Sequence, residues 1–137
     1  MILGIGADIC LISRIEKVIK RHGDLFLKKI FLPEERLYVD QLNPKMRLGG
    51  YAKRWAAKEA CTKALGTGFT NGVHFHDILV TRQENGAPGL VLQGAAAKVL
   101  EQLVPKGHEA HLLLTLSDDP PFAMANVLIQ ALPIKTV

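Results

Sequence analysis

Glu59 and Lys63 form the first pair in this chain whose spacing invites chemistry. They lie in the stretch at 48–68, LGGYAKRWAAKEACTKALGTG, which reads as one helix carrying a carboxylate and an ammonium among unusually small residues. No Pro or Gly interrupts 51–65, Ala holds 52, 56, 57, 60 and 64, and Gly66 and Gly68 supply a stop just past the helix end. At about 100° per residue the two side chains fall about 40° apart, with Ala52, Trp55 and Ala56 on the same side. One reading is an exposed salt bridge worth roughly 0.2–0.5 kcal/mol. The other is a pair of separate functional groups, with small neighbours that let something else approach closely.

Asp8 is the third such residue. It directly follows the short apolar run ILGIGA at 2–7, read as a buried strand whose glycines admit close backbone approach. A carboxylate at a strand end serves as a helix cap or turn former, or as a ligand for a cation. Two carboxylates are a sparse set for a divalent cation, and suit Mg²⁺ when substrate phosphates and waters fill the remaining positions. A nearby Lys suits a phosphate whose charge must be balanced during transfer. Spacing alone does not say that Asp8 and Glu59 meet.

The elements that must position these residues are legible from pattern. A helix is expected from about 11 to 22, with Ile12, Ile15, Val18 and Ile19 as its buried stripe. Arg14, Lys17 and Arg21 fall within about 60° of one another on its other side, a basic ridge that serves solubility or docks something acidic. A short apolar turn or helix at 24–31 precedes a helix from Pro33, with Glu34 and Glu35 behind the proline, to about Gln41. Asn43-Pro44 separates that helix from the long one, which opens near 45–48. Beyond Gly68 the pattern changes to strands at 77–82 and 90–92 around a turn at 84–88, a helix at 95–104 with Val99, Leu100, Leu103 and Val104 inward, and strands at 111–116 and 122–132. The short link at 117–121 makes the last two antiparallel. The expectation is a single α+β domain over 1–137, its largely antiparallel sheet packed against a long central helix.

The 137 residues suffice for one core, and 48% hydrophobic with 22% charged is ordinary for a soluble globular protein. A formal charge of +4 suggests an acidic partner: nucleic acid, an anionic ligand, a membrane surface or an acidic protein. Cys10 and Cys61 lack metal-type spacing and suit packed thiols in a reducing compartment. The N-terminus lacks signal-peptide features, and no apolar run approaches the ~20 residues of a membrane span, so a cytoplasmic location without membrane partners is expected. The five histidines stand in no HExxH or similar frame, no dinucleotide or P-loop signature is present, and no catalytic triad can be identified. Basic and aromatic residues are not interleaved as a single-strand stacking platform would require. A non-catalytic basic module for nucleic acid remains the competing class, on charge alone.

Three stretches carry a resemblance. Gly4-Ile5-Gly6-Ala7-Asp8-Ile9 with Ile12, Arg14 and Ile15 resembles the opening motif of the holo-acyl-carrier-protein synthases, in the 4′-phosphopantetheinyl transferase superfamily. Arg54-Trp55-Ala56-Ala57-Lys58-Glu59-Ala60, then 63–68 (KALGTG), resembles the family's second motif, and Asn85-Gly86-Ala87-Pro88 with Leu90 and Gly94 its third region. The similarity runs from residue 2 to about residue 132.

The resemblance implies the 4′-phosphopantetheinyl transferase fold. It implies transfer of the phosphopantetheine arm of coenzyme A to a serine of an apo acyl carrier protein, releasing adenosine 3′,5′-bisphosphate. On it, Asp8 and Glu59 hold Mg²⁺ against the pyrophosphate. Glu59 helps remove the serine proton, directly or through a bound water, and Lys63 neutralises the bridging phosphates. Arg54, Gly66, Pro88 and Asp118 join Lys63 in binding coenzyme A, and the alanines beside Glu59 give it room. Arg14, Lys17 and Arg21 meet the acidic carrier protein, and no nucleic-acid partner is implied. Short members of the family are homotrimers with active sites between subunits. One departure stands out: where many members have Ser-x-Ser/Thr-His, this chain has Leu116-Ser117-Asp118-Asp119. Asp118 then points elsewhere, pairs with a Lys or Arg, or joins the metal's outer shell.

Overall fold

The computed structural model describes residues 1–135; the last two positions of the expected 1–137 domain lie outside the described residues. The chain runs β1 (Ile2–Leu11), α1 (Ile12–His22), α2 (Asp24–Ile30), α3 (Pro33–Asp40), α4 (Pro44–Leu65), a 3-10 turn (Phe75–Asp77), β2 (Ile78–Arg82), β3 (Pro88–Leu92), α5 (Gly94–Leu103), β4 (His108–Asp119) and β5 (Phe122–Pro133). The strands make two antiparallel sheets, a three-stranded one in the order β1-β5-β4 and the hairpin β2-β3. This is the expected α+β architecture, divided into two sheets.

α4 is the axis of the fold. Asn43 accepts from the Lys45 N–H at 3.1 Å, Pro44 occupies the first turn, and Gly66 ends the helix in the left-handed region at φ 82°. From Gly49 to Leu65 most of its residues are buried, those on opposite sides of the wheel included, as expected of a helix that passes through a core.

Its contact with β1 is backbone against backbone. A Cβ on Gly4 would lie 2.0 Å from the Ala64 carbonyl oxygen, and one on Gly6 2.0 Å from that of Ala60. Farther along, the Cys10 thiol donates to the Ala52 carbonyl at 3.6 Å. Two strand residues advance about 6.6 Å and four helix residues about 6 Å, so each alternate residue of β1 meets one turn of α4. Ala52, Ala56, Ala60 and Ala64 are therefore sealed against the sheet, with Ala52, Ala56 and Ala60 fully buried. They leave room for a strand rather than for coenzyme A, which corrects the expectation placed on them.

Three further expectations change. β1 extends past Asp8, which sits inside the strand opposite Ala125, so the residue is neither a cap nor at a strand end. β1 is also buried on one face only: Ile5 and Ile9 point away from α4 and are 73% and 59% exposed. A strand with helix on one side needs only alternate residues inside. Leu103, expected inward, is 37% exposed at the C-terminal end of α5, while Ala96 is the buried residue of that helix. The expected link at 117–121 shrinks to Pro120-Pro121, because β4 carries Ser117, Asp118 and Asp119 in register with β5.

Candidate active site

Gly4, Gly6, Asp8 and Cys10 share the face of β1 that meets α4. Asp8 is held in a seam between strand and helix, its side chain 16% exposed. Lys63 reaches into the same seam, since helical side chains lean toward the helix N-terminus. Its Nζ donates to Asp8 Oδ1 at 3.1 Å and to the Ala7 carbonyl at 3.0 Å. The ion pair that spacing suggested between Glu59 and Lys63 is replaced by one between Lys63 and Asp8.

Glu59 completes the cluster. Burial, and after it the negative charge of Asp8, pushes its carboxyl above the ordinary value, while Lys63 pulls the other way. Two carboxylates repelling each other beside one ammonium make a site that a cation would relieve. Among the described residues no group of three or more His, Cys, Asp or Glu side chains could hold a metal by itself. Asp8 and Glu59 are hard oxygen donors, and two such carboxylates could hold Mg²⁺ if phosphates and water completed its shell.

The basic ridge stands close by. Arg14, Lys17 and Arg21 are all exposed on α1, and the Arg14 charge reaches the Cys10 thiol, two residues from Asp8, opposing the rise that burial causes. Both cysteines are free and buried, and burial pushes the Cys61 thiol up to about 12, so it is an inert packing group.

The remaining candidates lie elsewhere in the chain. Arg54 is buried on the side of α4 that faces α3 and β2, its Nη1 donating to the Gly50 carbonyl at 3.1 Å and its guanidinium 4.7 Å from the centre of the Tyr38 ring. Among the described residues its Nε has no hydrogen-bond partner. Arg82 lies 4.7 Å from the centre of the same ring, and the three line a cavity of about 240 Å³ with Glu34 and Thr81. Pro88 opens β3 and lines a separate cleft of about 500 Å³ with Ile5, Leu113 and Leu128 of the outer sheet face. Gly66 caps α4 close to Lys63, and a Cβ there would meet open space, so its conformation rather than its size distinguishes it.

Asp118 pairs with Lys53 at 3.1 Å and packs against Gly49, where a Cβ would come within 2.6 Å of Oδ2. Of the three fates open to it, pairing is the one observed. Gly49 is ten residues from Glu59, about 15 Å along the helix axis.

Sequence reasoning passed over Lys58. It is fully buried and donates to Glu35 Oε1 at 2.8 Å, the Phe75 carbonyl at 3.1 Å and the Ile78 carbonyl at 2.6 Å. The available signal was its setting, flanked by Ala56, Ala57, Ala60 and Cys61 in a helix with few polar neighbours.

Residues 4–117 match the model of the 4′-phosphopantetheinyl transferase superfamily. The chain belongs to that superfamily. It is 56% identical over 137 residues to a holo-[acyl-carrier-protein] synthase of Gluconobacter oxydans, covering all of this chain and 87% of the relative. It is 51% identical over 136 residues to the synthase of Granulibacter bethesdensis, covering 99% and 94%. Among solved structures, the Neisseria meningitidis holo-[acyl-carrier-protein] synthase superposes with a TM-score of 0.82 at 35% identity, covering 95% and 99% of the two chains. The Helicobacter pylori synthase, solved in complex with coenzyme A, gives 0.77 at 30%, covering 92% and 99%. The expected family and fold are borne out. As a member of the superfamily the chain is a transferase, and among the described residues no helix is long and apolar enough to cross a membrane.

Proposed function

We propose that this chain is a magnesium-dependent holo-acyl-carrier-protein synthase, moving 4′-phosphopantetheine from coenzyme A to a serine of an acidic apo carrier protein. The observation that carries the reading is the meeting of Asp8 and Lys63 across the β1–α4 seam, beside Glu59. Phosphoryl transfer needs in-line positioning and charge neutralisation more than it needs a covalent catalyst.

Asp8 and Glu59 would hold the Mg²⁺, which when bound supplies positive charge against the pyrophosphate. Glu59 takes the proton of the carrier serine, directly or through a bound water. The serine oxygen then bonds to the phosphorus of the pantetheine arm as the bond to the adenosine bisphosphate oxygen breaks. Lys63 places its ammonium where the departing oxygen gathers charge. The exposed ridge of Arg14, Lys17 and Arg21 gives the acidic carrier a complementary surface close to this point.

Coenzyme A contacts are assigned in two groups. Lys63 and Gly66 lie at the C-terminal end of α4, from which Lys63 reaches back to Asp8. Asp118 packs on the N-terminal half of the helix at Gly49, Pro88 opens β3, and Arg54 lies on another side of α4, where its Nε is a donor available to a phosphate oxygen. A single coenzyme A that touches both groups lies between subunits. The outer face of β1-β5-β4 supplies an apolar surface for such an assembly, with Ile5, Ile9, Leu113 and Met124 all exposed. The homotrimer of the short family members fits this arrangement, in a cytoplasmic setting.

The test is incubation with coenzyme A, Mg²⁺ and an apo carrier protein, followed by mass spectrometry of the carrier. A phosphopantetheine mass increment is expected. Its absence with every carrier, in Mg²⁺ and in Mn²⁺, overturns the reading.

A further inference from the structure

The charged pair with no assigned task is Glu35 and Lys58, both fully buried and 2.8 Å apart. A lone buried ion pair adds little to stability, because desolvation of both charges offsets their attraction. This pair is embedded in a wider set of bonds. Glu35 Oε1 also accepts from the Leu32 N–H at 2.8 Å, and Oε2 accepts from the Val80 N–H at 3.0 Å. Lys58 spends its three donors on Glu35, the Phe75 carbonyl and the Ile78 carbonyl. Three of these five hydrogen bonds tie α4 to α3, the 3-10 turn and β2, and the other two hold the Glu35 carboxylate to the start of α3 and to β2.

These bonds act on a helix that is pinned on its other side by a different device. Gly4 and Gly6 let β1 rest on the Ala64 and Ala60 carbonyls, which sets the distance of α4 from the strand. That contact fixes how closely the strand approaches, and bonds from the far side of the helix add an independent restraint on its rotation. Lys58 projects about 140° from Lys63 around the wheel and precedes Glu59 by one residue. Its ammonium is fixed by three acceptors from separate segments, which defines both rotation and axial position.

We propose that Glu35 and Lys58 are a positioning pair for the transfer reaction, holding α4 at the rotation that turns Glu59 and Lys63 toward Asp8. The inference rests on the functional reading given above. Neither residue touches substrate; they act through Glu59 and Lys63. A shift of about 1 Å at reacting groups costs on the order of 100-fold in rate, so a small rotation of α4 is enough to be measured.

The experiment compares the wild type with Lys58→Met, Glu35→Gln and the double variant Glu35→Leu/Lys58→Met. Removing one partner strands a buried charge, whereas the double variant strands none but unpairs the Leu32 and Val80 N–H groups and the Phe75 and Ile78 carbonyls; whichever variant stays folded carries the test. Assays run well below each melting temperature. The expected result is a kcat lower by about 10- to 100-fold, with the carrier KM within about twofold because α1 is untouched. Affinity for Mn²⁺ in the presence of coenzyme A, read by electron paramagnetic resonance, falls by about tenfold or more. A folded double variant with wild-type kcat and Mn²⁺ affinity, and only a lower melting temperature, overturns the proposal. A wild type that binds Mn²⁺ but transfers nothing overturns the functional reading instead, and metal affinity alone then decides the role of the pair.

Discussion

Lys63 donates to Asp8 Oδ1 at 3.1 Å across the seam between α4 and β1, although Glu59 is its neighbour one helical turn away. The pairing joins residues 55 positions apart in sequence, and the Ala7 carbonyl accepts a second bond from the ammonium at 3.0 Å. These two bonds draw the ammonium to the Asp8 side of the seam before any anionic ligand arrives, and a placed charge is what electrostatic stabilisation of a leaving group requires. Lys63→Met is therefore expected to lower kcat for transfer by about 10²–10³-fold. Because the Lys63 charge pulls the Glu59 pKa down, its removal also moves the acid limb of the residual pH–rate profile to higher pH. A profile that keeps its acid limb would show that Glu59 does not govern it.

Glu59 should trade stability for activity. Its carboxyl is raised by burial and by Asp8, so the folded metal-free chain binds its proton more tightly than the unfolded chain does. From the ordinary carboxylate value upward, rising pH then costs the folded state relative to the unfolded one, until the carboxyl is ionised in both. Glu59→Gln removes the ionisation while keeping the shape. We expect a melting temperature at pH 7 above that of the metal-free wild type, with transfer reduced by about 10²–10⁴-fold. A variant that melts lower at pH 7 would contradict the assigned direction.

Gly6 should be the least replaceable residue in β1. A Cβ there lies 2.0 Å from the Ala60 carbonyl oxygen and 2.8 Å from the Ala64 nitrogen, both backbone atoms of a buried helix. Gly6→Ala forces strand and helix apart, at a cost of about 3 kcal/mol by the usual measure of overpacking. Urea denaturation reads this directly, and a loss under about 1 kcal/mol would mean the seam gives way easily.

These examples mark what the sequence made legible. Helix propensity, the Asn43-Pro44 start and the Gly66 stop located α4, and period-2 and turn signals located β2, β3 and β5, because those cues are local. The partner of Lys63 was hidden, since i, i+4 spacing favours Glu59 and only the tertiary seam brings in Asp8. The alanines were read as space for a ligand because small residues signal close approach without saying what approaches. Lys58 was invisible for the opposite reason: lysine is so rarely fully buried that its charge pointed to solvent, and Glu35, 23 residues earlier, gave no sign of pairing with it.

Carrier docking should depend on charge reversal in a salt-sensitive way. Arg14 and Arg21 are exposed, and at low ionic strength their field extends well beyond contact distance. Arg14→Glu/Arg21→Glu is expected to raise the carrier KM by about tenfold at low salt and by less at high salt, with the coenzyme A KM unchanged. A rise that is the same at both salt concentrations would indicate lost packing on α1 rather than lost steering.

A coenzyme A bound by both Glu59 and Arg54 would have to be shared between subunits, because the two residues lie on different sides of α4. Glu59 lies beside Asp8, while Arg54 is buried on another side of the helix, against Tyr38, with its Nε free. If both serve one coenzyme A, the Glu59 of one subunit works with the Arg54 of the next. Glu59→Gln and Arg54→Gln should each be nearly inactive as a homogeneous assembly. Refolded together in equal amounts, they restore interfaces in which the first subunit keeps Glu59 and the second keeps Arg54. Random assembly of a cyclic trimer gives that combination at about one interface in four, so about a quarter of wild-type activity should return. Two folded variants that stay inactive when mixed would place both residues in the same subunit's site. Substantial activity of Arg54→Gln by itself would instead remove Arg54 from the coenzyme A site and leave it a core cation packed on Tyr38.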